Sequence, residues 1–109
     1  MAIMVYTNTP DVPGSEIVEI LGVITGNVVQ SKHVGRDIAA ALKTIVGGEI
    51  VSYTEMLTEA RQTAVNRLVQ EANRLNADAV VNLRLATSSI MSGSAEILAY
   101  GTAVKLRKK

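Results

Sequence analysis

The period of the apolar residues changes along this chain, and each change predicts a boundary. Ile3 to Tyr6 reads as a short strand. It is stopped by Asn8-Thr9-Pro10-Asp11-Val12-Pro13-Gly14, where two prolines, a glycine and turn-forming polar residues demand a loop. From Glu16 to about Val28 the pattern is β: Val18, Ile20, Gly22, Ile24, Gly26 and Val28 alternate with Ile17, Glu19, Leu21, Val23, Thr25 and Asn27. Both sides are largely apolar, as in a strand covered on both faces. Gly22 and Gly26 would weaken a free strand, so they predict a bulge or a close approach by another backbone.

After Gln30 the period becomes helical, with Ile38, Ala41, Leu42 and Ile45 on one stripe and Asp37 at the end the helix dipole favours. Gly47-Gly48 is expected to end this shorter helix. A longer helix follows from about Ser52 to Leu75, with Tyr53, Leu57, Ala60, Ala64, Leu68, Ala72 and Leu75 as its buried stripe. Ser52 and Glu55 have the spacing of a capping box. At 1.5 Å per residue this helix is about 36 Å long, enough to cross a whole sheet. Asn76-Ala77-Asp78 is the turn out of it.

Two strands complete the pattern. Ala79, Val81, Leu83 and Leu85 alternate with Val80, Asn82, Arg84 and Ala86, and Ser88 to Ser94 reads as a polar turn. In the last strand Leu98, Tyr100, Thr102, Val104 and Leu106 lie on one side. The smaller Ile97, Ala99, Gly101 and Ala103 lie on the other, where a helix or a second subunit can approach closely. The order β-β-α-α-β-β, closed by a hairpin, predicts an α+β two-layer sandwich with an antiparallel-rich sheet, one long helix and one shorter one.

Composition sharpens this picture. A chain of 109 residues makes one domain, since halves would be too small for a core. Hydrophobic residues are 48% and aromatics 3%, with no Trp or Phe, so the core must be built from Val, Ile, Leu and Ala. So modest an apolar supply favours association with copies of itself. The net charge of +1 conceals a cluster: Lys105, Arg107, Lys108 and Lys109 hold four of the eleven bases, leaving an acidic body. This is expected to be a solvated terminal tail, because a nucleic-acid surface would show a basic stripe interleaved with aromatics across the body. The start of the chain has no signal-peptide pattern and no stretch approaches the ~20 apolar residues of a spanning helix, which predicts a cytoplasmic protein that contacts neither membrane nor nucleic acid.

Read in order, Gly22-Val23-Ile24-Thr25-Gly26, Gly47-Gly48-Glu49, Tyr53-Thr54-Glu55-Met56-Leu57, Ala60-Arg61, Asn76-Ala77-Asp78-Ala79-Val80-Val81 and Tyr100-Gly101-Thr102-Ala103-Val104 resemble the YbjQ family. Its members are small bacterial and archaeal proteins of unknown function, often labelled heavy-metal-binding. The resemblance runs from Glu16 to Leu106. It implies a dodecin-like subunit assembled into rings, homopentamers above all. The family has no established catalytic set, and this chain departs from its metal label in one respect. It has no cysteine, so there is no thiolate for a soft metal, and any divalent ion must be held by nitrogen and oxygen alone.

The candidate ligands follow from that restriction. His33, the single histidine, has Asp37 four residues on and could give half of a Zn, Mn or Ni site completed across a subunit boundary. One histidine per chain is thin, and an ordinary surface or interface histidine is the simpler reading. Glu49 and Tyr53 near a helix start, with Arg61 two turns further, could supply an acid or base and an anion clamp. They could equally be a cap, a packed phenol and an inter-subunit ion pair. Glu55 and Glu59 could clamp a hard cation but suit a solvated, dipole-favoured face. Asn82 and Arg84 share a predicted strand face as possible pocket groups. Gly47-Gly48 lacks the further glycines and lysine of a phosphate loop. Taken together, these residues favour a non-enzymatic ring that binds a small ligand or metal ion at its interfaces. The alternatives are an enzyme of unknown class using Glu49, Tyr53 and Arg61 across a subunit interface, and an adaptor ring.

Overall fold

The computed structural model describes residues 4–30, 48–91 and 94–109. Four strands and one helix appear among them: β1 (Val5–Tyr6), β2 (Ser15–Gln30), α1 (Gly48–Arg74), β3 (Ala79–Met91) and β4 (Ser94–Lys108). The strands form one mixed sheet in the order β1-β3-β4-β2. β4 pairs antiparallel with both β2 and β3, and β1 pairs parallel with β3 through Val5↔Ala79 and Tyr6↔Val80. The helix lies on one face of this sheet, giving the α+β two-layer arrangement. The shorter helix expected over Ile38 to Ile45 lies outside the described residues.

The core forms where the small side of β4 meets the helix stripe. Ala60, Ala64, Leu68 and Ala72 of α1 are buried against Ile97, Ala99 and Ala103 of β4, Ile24 of β2 and Val80 of β3. Each of these side chains is small or medium, so the two layers come close. The seam is tightest at Gly26, where a Cβ would stand 2.3 Å from both the Ala64 carbonyl oxygen and the Leu68 nitrogen. Any side chain there would push the helix off the sheet. Arg67 fastens the same seam, donating from Nη1 to the Asn27 carbonyl at 2.6 Å. Gly22 serves another need. Its φ of 131° allows the register to shift between Ile20 and Gly22, so that Leu21 joins Ile24 on the helix side while Ile20 and Val23 face away.

Four expectations need correction. The long helix starts at Gly48, not near Ser52, so Gly48 begins a helix where it was expected to lie beyond the end of one. Ser88 to Met91 is strand: Ser88 pairs with Glu96, Ser89 with Ala95 and Met91 with Ser94, because β4 supplies backbone partners on either side of an irregularity between Ser89 and Met91. The strict alternation read for β3 fails at Asn82, whose φ of 54° accompanies a register shift between Val81 and Arg84. Ala79 and Val81 therefore lie on the face away from the helix, while Leu83 packs into the helix-side core.

The basic end is likewise no loose tail but the last part of β4. Arg107 bonds Glu16 opposite it, and Lys105 reaches the Asn76 carbonyl at 2.9 Å and Asp78 at 3.5 Å. The turn after α1 is drawn into this end of the sheet. Asn76 takes the left-handed conformation (φ 60°) that usually falls to glycine at a helix C-terminus. Asp78 then accepts from the Leu106 amide at 2.8 Å. That bond, aided by Lys105, holds the Asp78 carboxyl below its ordinary value against the opposing effect of burial.

Candidate functional site

The face of the sheet turned away from α1 divides into two parts. At one end the loop after β1 crosses it, and Val12 packs with Leu106 on the buried trio Ala79, Val81 and Val104. Beyond that loop the face is open. Ile20 is 70% exposed, Val23 75%, Val29 54% and Tyr100 38%. Of these, Ile20 and Val23 belong to the strand that the sequence analysis expected to be covered on both faces. Among the described residues nothing covers them.

Register places polar groups in rows across that open face, because paired residues share a face of the sheet. Thr25 pairs with Tyr100, and Tyr100 pairs with Arg84, so a hydroxyl, a phenol and a guanidinium stand on three adjacent strands. On one side of this row lie Val23 and Thr102, and on the other Asn27, Leu98 and Ala86. Asn27 donates from Nδ2 to Glu96 Oε2 at 2.9 Å, which engages the carboxylate carried by this part of β4.

Arg84 is fixed at the border of the row. Its Nη1 donates to the Asn8 carbonyl at 2.9 Å and to its neighbour Leu83 at 3.1 Å. The bulge at Asn82 creates the room for this. With the ladder to β4 interrupted, the Asn82 amide donates to Thr9 and the Leu83 amide to Thr7, at 3.0 and 2.9 Å. The strap is stiffened from within by the Thr7–Thr9 hydroxyl pair at 2.8 Å and by Thr9 Oγ1 donating to the Asp11 carbonyl at 2.7 Å. Asn82 and Arg84, paired in the sequence analysis as pocket groups, thus do share one neighbourhood. The reason is a bulge and a strap, where a regular alternation was expected.

His33 and Asp37 lie outside the described residues. Glu49, Tyr53 and Glu55 fall in the first turns of α1, with side chains outside those described. Arg61 is exposed on the same helix, and its Nη2 donates to Thr58 Oγ1 at 3.3 Å. Glu59 is exposed. Among the described residues no three of His, Cys, Asp and Glu gather as metal ligands would. A groove of about 530 Å³ between Asp11–Pro13, Ser15–Ile17 and Lys109 contains none of the predicted residues. No helix among the described residues is long and apolar enough to cross a membrane.

Thr25 and Tyr100 were missed as site residues. A signal for them did exist. The Ser92-Gly93 dipeptide between two apolar runs has the form of a two-residue hairpin turn, and counting back from it sets Tyr100 opposite Arg84 to within one residue.

Comparison with known proteins supports the resemblance. A YbjQ family model described as "Putative heavy-metal-binding" matches residues 4–107. A UPF0145 protein of Psychromonas ingrahamii is 66% identical over 105 residues, spanning 96% of this chain and 100% of that one. Those of Thermosipho africanus and Thermotoga maritima are 62% and 65% identical over 105 residues, each spanning 96% of this chain and 97% and 99% of theirs. Among solved structures, a protein of unknown function of the DUF74 family from Pediococcus pentosaceus superposes with a TM-score of 0.60 at 17% identity. It covers 95% of this chain and 98% of its own, which bears on the fold alone. This chain belongs to the YbjQ, or UPF0145, family.

Proposed function

We propose that this protein is a non-enzymatic, homo-oligomeric binder, a pentameric ring as the family resemblance implies, that holds a small ligand or metal ion where its open sheet faces meet. One observation supports the reading: beyond the N-terminal loop, the face opposite the helix is apolar, covered by none of the described residues and crossed by a polar row. Leaving Ile20, Val23 and Val29 in water forgoes roughly 25 cal/mol per Å² of apolar surface, which association recovers. Polar groups inside such a contact need partners, and a bound ligand supplies them.

A metal ion fits the same arrangement only through nitrogen and oxygen donors from more than one copy. Cysteine is absent, and the described part of a single chain assembles no ligand triad. Native mass spectrometry of untagged protein, purified without chelator, tests the reading. A closed oligomer with a reproducible added mass is expected. A monomer, or an oligomer with no added mass before or after incubation with Zn, Mn or Ni, overturns it.

A further inference from the structure

We infer that the Thr25–Tyr100–Arg84 row is a seat for a small oxyanion, a carboxylate or phosphate group, with Arg84 as its anchor. The inference rests on the proposed use of the open sheet face for binding, and it names the charge of what binds there. Among the described residues Arg84 makes no ion pair; the bridges present join Arg74 with Glu71, Lys105 with Asp78 and Arg107 with Glu16. Glu96, the carboxylate carried by the facing stretch of β4, accepts from Asn27. Arg84 thus carries the positive charge of the row, with no described carboxylate paired to it.

Arg84 is also pre-oriented. Two backbone carbonyls hold Nη1, at 2.9 and 3.1 Å, so the plane of the guanidinium is set. Nε and Nη2 form the edge that a planar carboxylate or a phosphate meets with two parallel hydrogen bonds. The side chain has already lost its rotational freedom to the strap, which lowers the entropic cost of capturing an anion. Tyr100, opposite Arg84 in the register, adds a phenol donor, and Thr25 opposite Tyr100 adds a hydroxyl. Val23 and Leu98 flank the row with apolar surface for the remainder of an organic acid.

The other held arginine, Arg67, offers no such setting. It is tied to the Asn27 carbonyl from the helix side, away from this face.

The test uses the full-length, ¹⁵N-labelled protein in its native assembly, titrated separately with inorganic phosphate and with benzoate while amide and arginine Nε–H shifts are followed. Saturable shifts centred on Thr25, Arg84 and Tyr100 are expected with at least one probe. Phosphate alone points to a phosphoryl ligand, benzoate alone to a carboxylate, and both support the shared oxyanion chemistry. Arg84→Gln should weaken that binding at least tenfold. Arg84→Lys, which keeps the charge but loses the fork, should fall between, and Tyr100→Phe should weaken it several-fold while leaving the melting curve unchanged.

Three results overturn the inference: no saturable shift with either probe, equal affinity in Arg84→Gln, or shifts confined to the Arg107–Lys109 end. The same samples examined by native mass spectrometry separate the two readings. A ring that ignores both probes removes the oxyanion seat alone, and a monomer that binds them removes the ring alone.

Discussion

The two faces of the sheet are made from the same strands yet solve opposite problems. The face under α1 meets the helix through alanines and Gly26, so backbone comes close to backbone and Leu68, Ile24, Ile97 and Val80 fill the core between them. The other face carries larger side chains, Ile20, Val23, Val29 and Tyr100, and stands open beyond the reach of the N-terminal loop. Alanines and Gly26 appear where helix and sheet approach most closely, and larger side chains stand on the face that no described element covers. A buried stripe can be satisfied within one chain only if the covering element comes close enough, and here that closeness has been obtained by reducing side-chain size.

Substitutions on the two faces should therefore fail in different ways. On the covered face Leu68→Ala removes the largest side chain of the helix seam and should cost about 3 kcal/mol, read as a fall in the denaturant midpoint at unchanged slope. Gly26→Ala puts a methyl group into the Ala64–Leu68 backbone and should cost about 2 kcal/mol, with the loss visible in the same unfolding curve. A Gly26→Ala protein as stable as the parent would show that the helix does not ride directly on β2.

A third effect distinguishes acid from neutral conditions at the end of the sheet where Asp78 ties the helix exit to β4. Its carboxyl lies below its ordinary value in the folded state, so the stability it contributes is present above the unfolded-state value and is lost as pH falls through the folded-state value. Asp78→Asn should therefore melt lower than the parent at neutral pH, and the gap should close as the solution is acidified through the carboxylate range. A gap independent of pH would reassign the effect to hydrogen-bond geometry.

The smallest effect on folding is expected on the open face. Val23→Ser should change the unfolding free energy by no more than about 0.5 kcal/mol, yet it should weaken self-association measured by sedimentation velocity. If it destabilises folding as much as Leu68→Ala, the contrast between the faces is lost.

Much of the covered face was legible in the sequence. The helix stripe from Leu57 to Ala72 and the small side of β4 follow from period alone, and Gly22 and Gly26 each signalled a departure from a free strand. The open face was harder to read because its arrangement depends on interruptions of period. A left-handed Asn82 looks like any polar position on a regular strand, although it moves Leu83 to the opposite face from the one alternation assigns. Ser88 to Met91 has the composition of a turn and becomes strand because β4 lies beside it. The basic end is another case, since its partners Glu16 and Asp78 are remote in sequence. The candidate site suffers most from this, because register brings Thr25, Tyr100 and Arg84 together across three strands, and the Ser92-Gly93 dipeptide hints only at the pairing of Tyr100 with Arg84.

Tyr100 has a practical consequence of its own. The chain has no tryptophan and only three tyrosines, so its near-ultraviolet emission arises from Tyr6, Tyr53 and Tyr100 alone. Because Tyr100 stands on the open face, whatever covers that face must alter the surroundings of one of only three fluorophores. Comparing the parent with Tyr100→Phe isolates its share of the signal, and the molecule thereby carries an intrinsic optical probe at the surface whose occupancy matters most.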